Sequence, residues 1–134
     1  MARKVKTTIN KFPKVALIGL GMWGMNWLRS LRTIGCPVSV FDKNTEVAGS
    51  VSGLCKIPKI LNKKTLGGVQ GAILATPAET HFELAKKIIR SGLHVLVEKP
   101  LALRTQEAKE LIRMAEKNKV VLMTGHLLDY HPLS

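Results

Sequence analysis

Acidic side chains are scarce in this 134-residue chain. Nine Asp and Glu stand against 21 Lys and Arg, giving a formal net charge of +12 and a pI near 10.1. An excess of that size attracts anions, so nucleic acid, phosphorylated ligands and acidic surfaces are the partner classes to weigh. Aromatic residues are almost as rare, with one Tyr, two Trp and three Phe. That leaves no stacking platform of the kind single-stranded nucleic acids bind. There is also no helix-turn-helix and no arginine cluster, so nucleic acid ranks well behind the other partners. Cys36 and Cys55 fit no metal or redox spacing, which implies reduced thiols in a cytoplasmic protein and no metal site. Long hydrophobic runs are missing too. The longest apolar stretch, "VALIGLGMWGM" from Val15, is broken by three glycines, lacks a small-x-small cleavage site and is too short to cross a bilayer. It reads as core, with no membrane partner.

Apolar residues make up 46% of the chain, enough for one globular domain at this length. Arg3, Lys4, Lys6, Lys11 and Lys14 crowd the start, and residues 1–13 are expected to form a flexible basic leader. Residues 14–134 then form the domain. VALI at 15–18 is a continuous apolar run, as a strand buried on both faces would be. Gly24, Trp27, Leu28, Leu31 and Ile34 follow at helical spacing, with Gly35 as the stop. Further strands are expected at 38–41, weakly at 55–57, and at 72–75, 94–97 and 120–123. Helices are expected near 45–53, over 79–90 with Phe82, Ala85, Ile88 and Ile89 inward, and after Thr105 as N-cap with Ala108, Leu111, Ile112 and Ala115 inward. Short apolar strands alternating with amphipathic helices predict an α/β fold, a doubly wound Rossmann-type parallel sheet with helices on both faces.

The chemistry concentrates in "GLGMWG". Gly19, Gly21 and Gly24 stand in the spacing G-x-G-x-x-G, with Met22 and Trp23 between the last two, after a strand and at the start of a helix. In such a loop the first glycine makes the tight turn, the second lets the backbone approach a pyrophosphate and the third permits close packing. The helix N-terminus offers free N–H groups to the phosphate. Asp42 ends the second strand, 18 residues beyond Gly24. An acid there accepts from a ribose 2′-hydroxyl and repels a 2′-phosphate, which favours NAD over NADP. The neighbouring Lys43 works against that repulsion.

"VALIGLGMWG", "ATPAETH", "VEKPLAL" and "LMTGHLLDYHP" occur in this order over about residues 14–132, and together they resemble the N-terminal domain of the Gfo/Idh/MocA oxidoreductases. The ending "GHLLDYHP" most resembles the branch acting on nucleotide-linked amino sugars. The resemblance implies an NAD(P)-dependent oxidoreductase moving hydride between a nicotinamide and a sugar or nucleotide-sugar hydroxyl. It implies that Lys99 lies over the nicotinamide ribose and helps to polarise the reacting hydroxyl. A desolvated lysine suits such a part because its pKa shifts easily. Glu98 would pair with Lys99 or fix its loop, and Pro100 would hold the turn, in the cis form by family expectation. Thr76 and Pro77 would pass along the dinucleotide. His81 is expected to be locally structural, His126 to pack or touch substrate at the rim, and Tyr130 to lead toward a second domain.

Family members continue into a large antiparallel domain that supplies most substrate contacts, and this chain stops at Ser134. The expectation is cofactor binding without appreciable turnover unless a complementing chain or a homo-oligomer completes the site. The alternative is a stand-alone NAD-binding sensor or regulatory module.

Overall fold

A computed structural model of the chain describes residues 11–46 and 51–125. Six strands form one parallel sheet: β1 (Val15–Ile18), β2 (Val38–Asp42), β3 (Leu54–Lys56), β4 (Gly71–Leu74), β5 (His94–Glu98) and β6 (Leu122–Gly125). Their order across the sheet is β3-β2-β1-β4-β5-β6, every neighbouring pair parallel. Three α-helices connect them: α1 (Met22–Thr33), α2 (His81–Arg90, entered through a 3₁₀ turn at Ala78–Thr80) and α3 (Thr105–Lys117). The doubly wound architecture read from the sequence is the one observed.

Strand alternation divides the core into two layers. Ala16, Ile18, Phe41, Ala72, Leu74, Val95 and Val97 face α2 and α3, where they meet Ala85, Ile88, Ile89, Leu111 and Ala115. Leu17, Val40 and Ile73 face the other way and meet Leu28 and Leu31 of α1. Each fully buried aliphatic side chain contributes about 1.5–3 kcal/mol relative to exposure, so the central strands, closed on both faces, hold the sheet.

The structure adjusts several expectations. Ile34 is 54% exposed and Ile112 is 47% exposed, so neither belongs to the inward stripe of its helix. Ile34 is the residue at which α1 has already ended, and Ile112 lies just off the line of Leu111 and Ala115. Phe82 is only partly buried. Thr105 is the first helical residue of α3, and the preceding cap position belongs to Arg104, without a side-chain hydrogen bond. Of the helix expected over 45–53, residues 47–50 lie outside the described ones, and residues 45–46 and 51–53 are not helical. Strands β3, β4 and β6 begin or end one or two residues from their expected bounds. Phe12, expected within the leader, packs against the α1-side core. Residues 1–10 of that leader lie outside the described part.

Candidate functional site

β1 and β4 are neighbours whose onward connections run to opposite sides of the sheet, β1 toward β2 and β4 toward β5. In doubly wound sheets this switch point is where ligands lie, outside the carboxyl ends of the strands. Three segments leave the sheet at that edge: the glycine loop after β1, the turn Ala75–Thr80 after β4, and Lys99–Pro100 after β5.

The glycine loop is held tightly. Gly19 has a φ of +102°, and a Cβ there would meet the Ala75 carbonyl and lie 2.9 Å from the Thr76 amide nitrogen. A side chain at Gly24 would run into the Gly19 carbonyl oxygen, with the Ala75 methyl 3.7 Å away. Both positions therefore require glycine, and the start of α1 is pressed onto the loop and the end of β4. Gly21 differs: nothing lies within 4 Å of where its Cβ would stand, so the space above the loop is open. The first helical bond, from the Met25 N–H to the Gly21 carbonyl at 2.9 Å, leaves the amides ahead of it without helical partners. No side chain caps them and no acid occupies the first turn. An anion meets only backbone donors and the positive end of the helix dipole. Met22 is 75% exposed and Trp23 44% exposed beside this opening.

Asp42 reaches the same loop from the end of β2. One carboxylate oxygen accepts from the Leu20 N–H at 2.7 Å and the other from the Asn44 N–H at 2.8 Å. The acid thus braces the backbone between Gly19 and Gly21 and still has lone pairs for a hydroxyl donor, since a carboxylate offers about four acceptor sites. Lys43 is exposed beside it.

The acid and the lysine at the end of β5 separate. Glu98 shares the face of Leu96, which packs with the α1-side core, and its Oε1 accepts from the Trp27 indole N–H at 2.6 Å. The pairing of Glu98 with Lys99 is absent: among the described residues the one ion pair is Lys86–Glu110, between α2 and α3. Glu98 therefore fastens the end of β5 to α1. Lys99 stands exposed at the rim, and the Lys99–Pro100 bond is cis. Any desolvation of its amine must come from a ligand or another domain covering the site.

His81 is the other surprise. It is 1% exposed, with Nδ1 2.7 Å from the Pro100 carbonyl oxygen and Nε2 2.8 Å from that of Thr76. Its part is structural, but the structure it holds spans 19 residues of sequence. The ring ties the turn after β4 to the loop after β5. Thr76 is further fixed by the Thr80 hydroxyl, which donates to the Thr76 hydroxyl at 2.7 Å. Pro77 is exposed beside it.

The crevice thus brings together Gly19, Gly21, Met22, Trp23, Gly24, Asp42, Lys43, Thr76, Pro77, Glu98 and Lys99 along one sheet edge. His126 and Tyr130 lie outside the described residues. Sequence reading gave Trp27 to the apolar stripe and missed its indole as a donor. A tryptophan on the stripe nearest a strand-ending glutamate was the available clue. Among the described residues no three His, Cys, Asp or Glu side chains converge as a metal site would require, and no helix is long and apolar enough to cross a membrane.

Comparison with known proteins agrees with this geometry. Residues 13–126 match the model of the Gfo/Idh/MocA oxidoreductase family, described as an NAD-binding Rossmann fold. UDP-N-acetylglucosamine 3-dehydrogenase of Acidithiobacillus ferrooxidans is 34% identical over 122 residues, covering 89% of this chain and 38% of that protein. A solved structure of the same enzyme superposes with a TM-score of 0.78 at 33% identity, over 90% of this chain and 40% of that one. GenD2 from gentamicin A biosynthesis, solved in complex with NAD, gives a TM-score of 0.74 at 32% identity, over 90% of this chain and 36% of its own. The chain therefore spans about 40% of the length of the relatives it matches. The glycine loop at the switch point, the Asp42 brace and the family match agree: this chain belongs to the Gfo/Idh/MocA oxidoreductases and carries their NAD-binding Rossmann fold.

Proposed function

We propose that this domain binds NAD in preference to NADP across the crevice at the ends of β1 and β4. When a second domain or chain completes the site, it serves hydride exchange between the nicotinamide and a sugar or nucleotide-sugar hydroxyl. The observation that carries the reading is the glycine loop: two positions that admit only glycine, an open space at Gly21 and uncapped N–H groups of α1 facing it. The pyrophosphate takes those amides. The adenosine ribose lies toward Asp42, whose carboxylate accepts from a 2′-hydroxyl and repels a 2′-phosphate. Thr76 and Pro77 line the path, and the nicotinamide end lies toward Lys99. When bound, the cofactor supplies or takes the hydride. Lys99 holds the substrate hydroxyl and steadies its proton, while Glu98 and His81 set the loop from which Lys99 projects. The sugar class is supported by the likeness to the UDP-N-acetylglucosamine 3-dehydrogenase.

Calorimetric titration with NADH and NADPH, on wild type and Asp42→Ala, tests this. A hydrogen bond to a charged group contributes about 1.5–3 kcal/mol, about 10- to 150-fold in Kd. Wild type is expected to prefer NADH. Because Asp42 also braces Leu20, the variant should bind both cofactors more weakly, and the NADH preference should shrink at least tenfold. Equal weakening with an unchanged preference would limit Asp42 to loop bracing. Failure of the folded wild type to bind either cofactor would sink the dinucleotide reading.

A further inference from the structure

At the opposite rim of the sheet, β3 leaves a gap. It pairs with Val40–Asp42 only, so among the described residues the first half of β2 has no neighbour on that side. The space left is a cavity of about 360 Å³, within the range of small-molecule sites. It lies by the amino end of β2, whereas the dinucleotide crevice lies at the carboxyl ends. Two cations border it, Arg32 from the last turn of α1 and Lys64 from the loop before β4. No Asp or Glu lines it, and neither cation has an acidic partner among the described residues. A third cation, the ammonium of Lys14, lies against the same loop and donates to the Gly67 carbonyl at 2.8 Å. Ser39 and Ser52 add hydroxyls, and Val38–Phe41 line it along the edge of β2.

The loop that carries Lys64 is preorganised. Asn62 and Thr65 exchange hydrogen bonds of 2.9 Å in both directions, and the Thr65 hydroxyl also donates to the Ile60 carbonyl at 2.7 Å. Three ammonium and guanidinium groups around a concave space with no anion of its own leave charge that a ligand can complement. Hydroxyls beside them suit an oxyanion.

We propose that this cavity binds a small phosphate-bearing ligand, its dianion held by Arg32 and Lys64 with Lys14 adjacent. The site is separate from the dinucleotide crevice, so the two ligands bind together.

Inorganic phosphate is the probe, titrated into the ¹⁵N-labelled chain at constant ionic strength and followed by amide shifts. Saturable shifts are expected at Ser39, Ser52–Cys55 and Lys64–Gly67. The Arg32→Ala/Lys64→Ala double variant should weaken them at least tenfold while leaving the rest of the spectrum in place, since both side chains are exposed. Cys55 supplies a second readout, because its exposed thiol lines the cavity. Burial shields Cys36 and pushes its thiol pKa up, so iodoacetamide reports on Cys55. Phosphate should slow that alkylation in wild type and leave it unchanged in the double variant. Unsaturable shifts scattered over the basic surface, shifts confined to Gly19–Gly24, or shifts undiminished in the double variant would each overturn the proposal.

Discussion

Replacing His81 by leucine asks how much the tie between the two rim loops contributes. The ring is 1% exposed and faces two carbonyl oxygens, of Pro100 at 2.7 Å and Thr76 at 2.8 Å. A neutral imidazole has one N–H and can donate to one of them, whereas both are satisfied together only by the doubly protonated ring. Leucine fills similar space but leaves both oxygens without this donor. An acceptor left without its donor costs about 1–3 kcal/mol, and the neutral ring donates to one of the two, so the variant should lose about 1–3 kcal/mol, a sizeable share of the roughly 5–15 kcal/mol that holds a domain of this kind. Urea denaturation reads the loss. His81→Asn places an amide near Nδ1, toward Pro100, and His81→Gln places one near Nε2, toward Thr76, so the one that reaches the oxygen to which the ring donates should recover most of the loss. Because the tie sets the two loops that flank the proposed cofactor path, NADH affinity should fall for leucine and return for that amide. Ring ¹⁵N shifts of the wild type would show which nitrogens carry protons. A leucine variant within about 0.5 kcal/mol of wild type, the range of ordinary surface substitutions, would show that the two contacts hold nothing together.

Gly24→Ala should be severe, because the new methyl would run into the Gly19 carbonyl oxygen. Overpacking of this kind costs about 1–3 kcal/mol or more, and a displaced glycine loop should lose NADH binding before the fold is lost. Gly35→Ala, where nothing lies within 4 Å but φ is +76°, should cost stability alone and leave Kd intact. Trp27→Phe removes the indole donor to Glu98 and should cost about 1–2 kcal/mol by denaturation. In a double-mutant cycle with Glu98→Leu the coupling should reach at least 0.5 kcal/mol, and strict additivity would show that the 2.6 Å contact contributes nothing.

The fold was legible where a single element carried its own pattern. VALI at β1 is a short apolar run closed on both faces, and in HVLV of β5 Val95 and Val97 are buried on one face. Leu28 and Leu31, and Ala85 with Ile88 and Ile89, mark the buried sides of α1 and α2. Periodicity failed where a helix was ending or turning away from the sheet. Ile34 sits in phase with Leu31, but the chain has already left the helix there, and Gly35 with its φ of +76° sends it elsewhere. The region between β2 and β4 resisted for a different reason. β3 has three residues and one neighbour, so no long apolar run was needed to build it. The same brevity opens the cavity beside β2.

The site divides along another line. The glycines were legible because their spacing is local, six residues at a strand-to-helix turn, although Ala75 at the end of β4 is part of what excludes a side chain at Gly19. Contacts between elements were not. Asp42 was read as a ribose ligand from its place at a strand end, but its bond to the Leu20 amide appears only once β2 lies beside β1. Glu98 and Lys99 illustrate the point most clearly. Adjacent in sequence, an acid and an amine invite pairing, yet strand alternation sends the last residue of β5 to the face of Leu96 and α1. There Trp27 meets it, 71 residues away along the chain. The acid is thereby committed to holding α1 against the sheet, and among the described residues the lysine beyond it has no ion-pair partner at the rim. An amine whose neighbouring acid is engaged elsewhere remains available to a ligand, which is the condition a lysine must meet to touch a substrate hydroxyl.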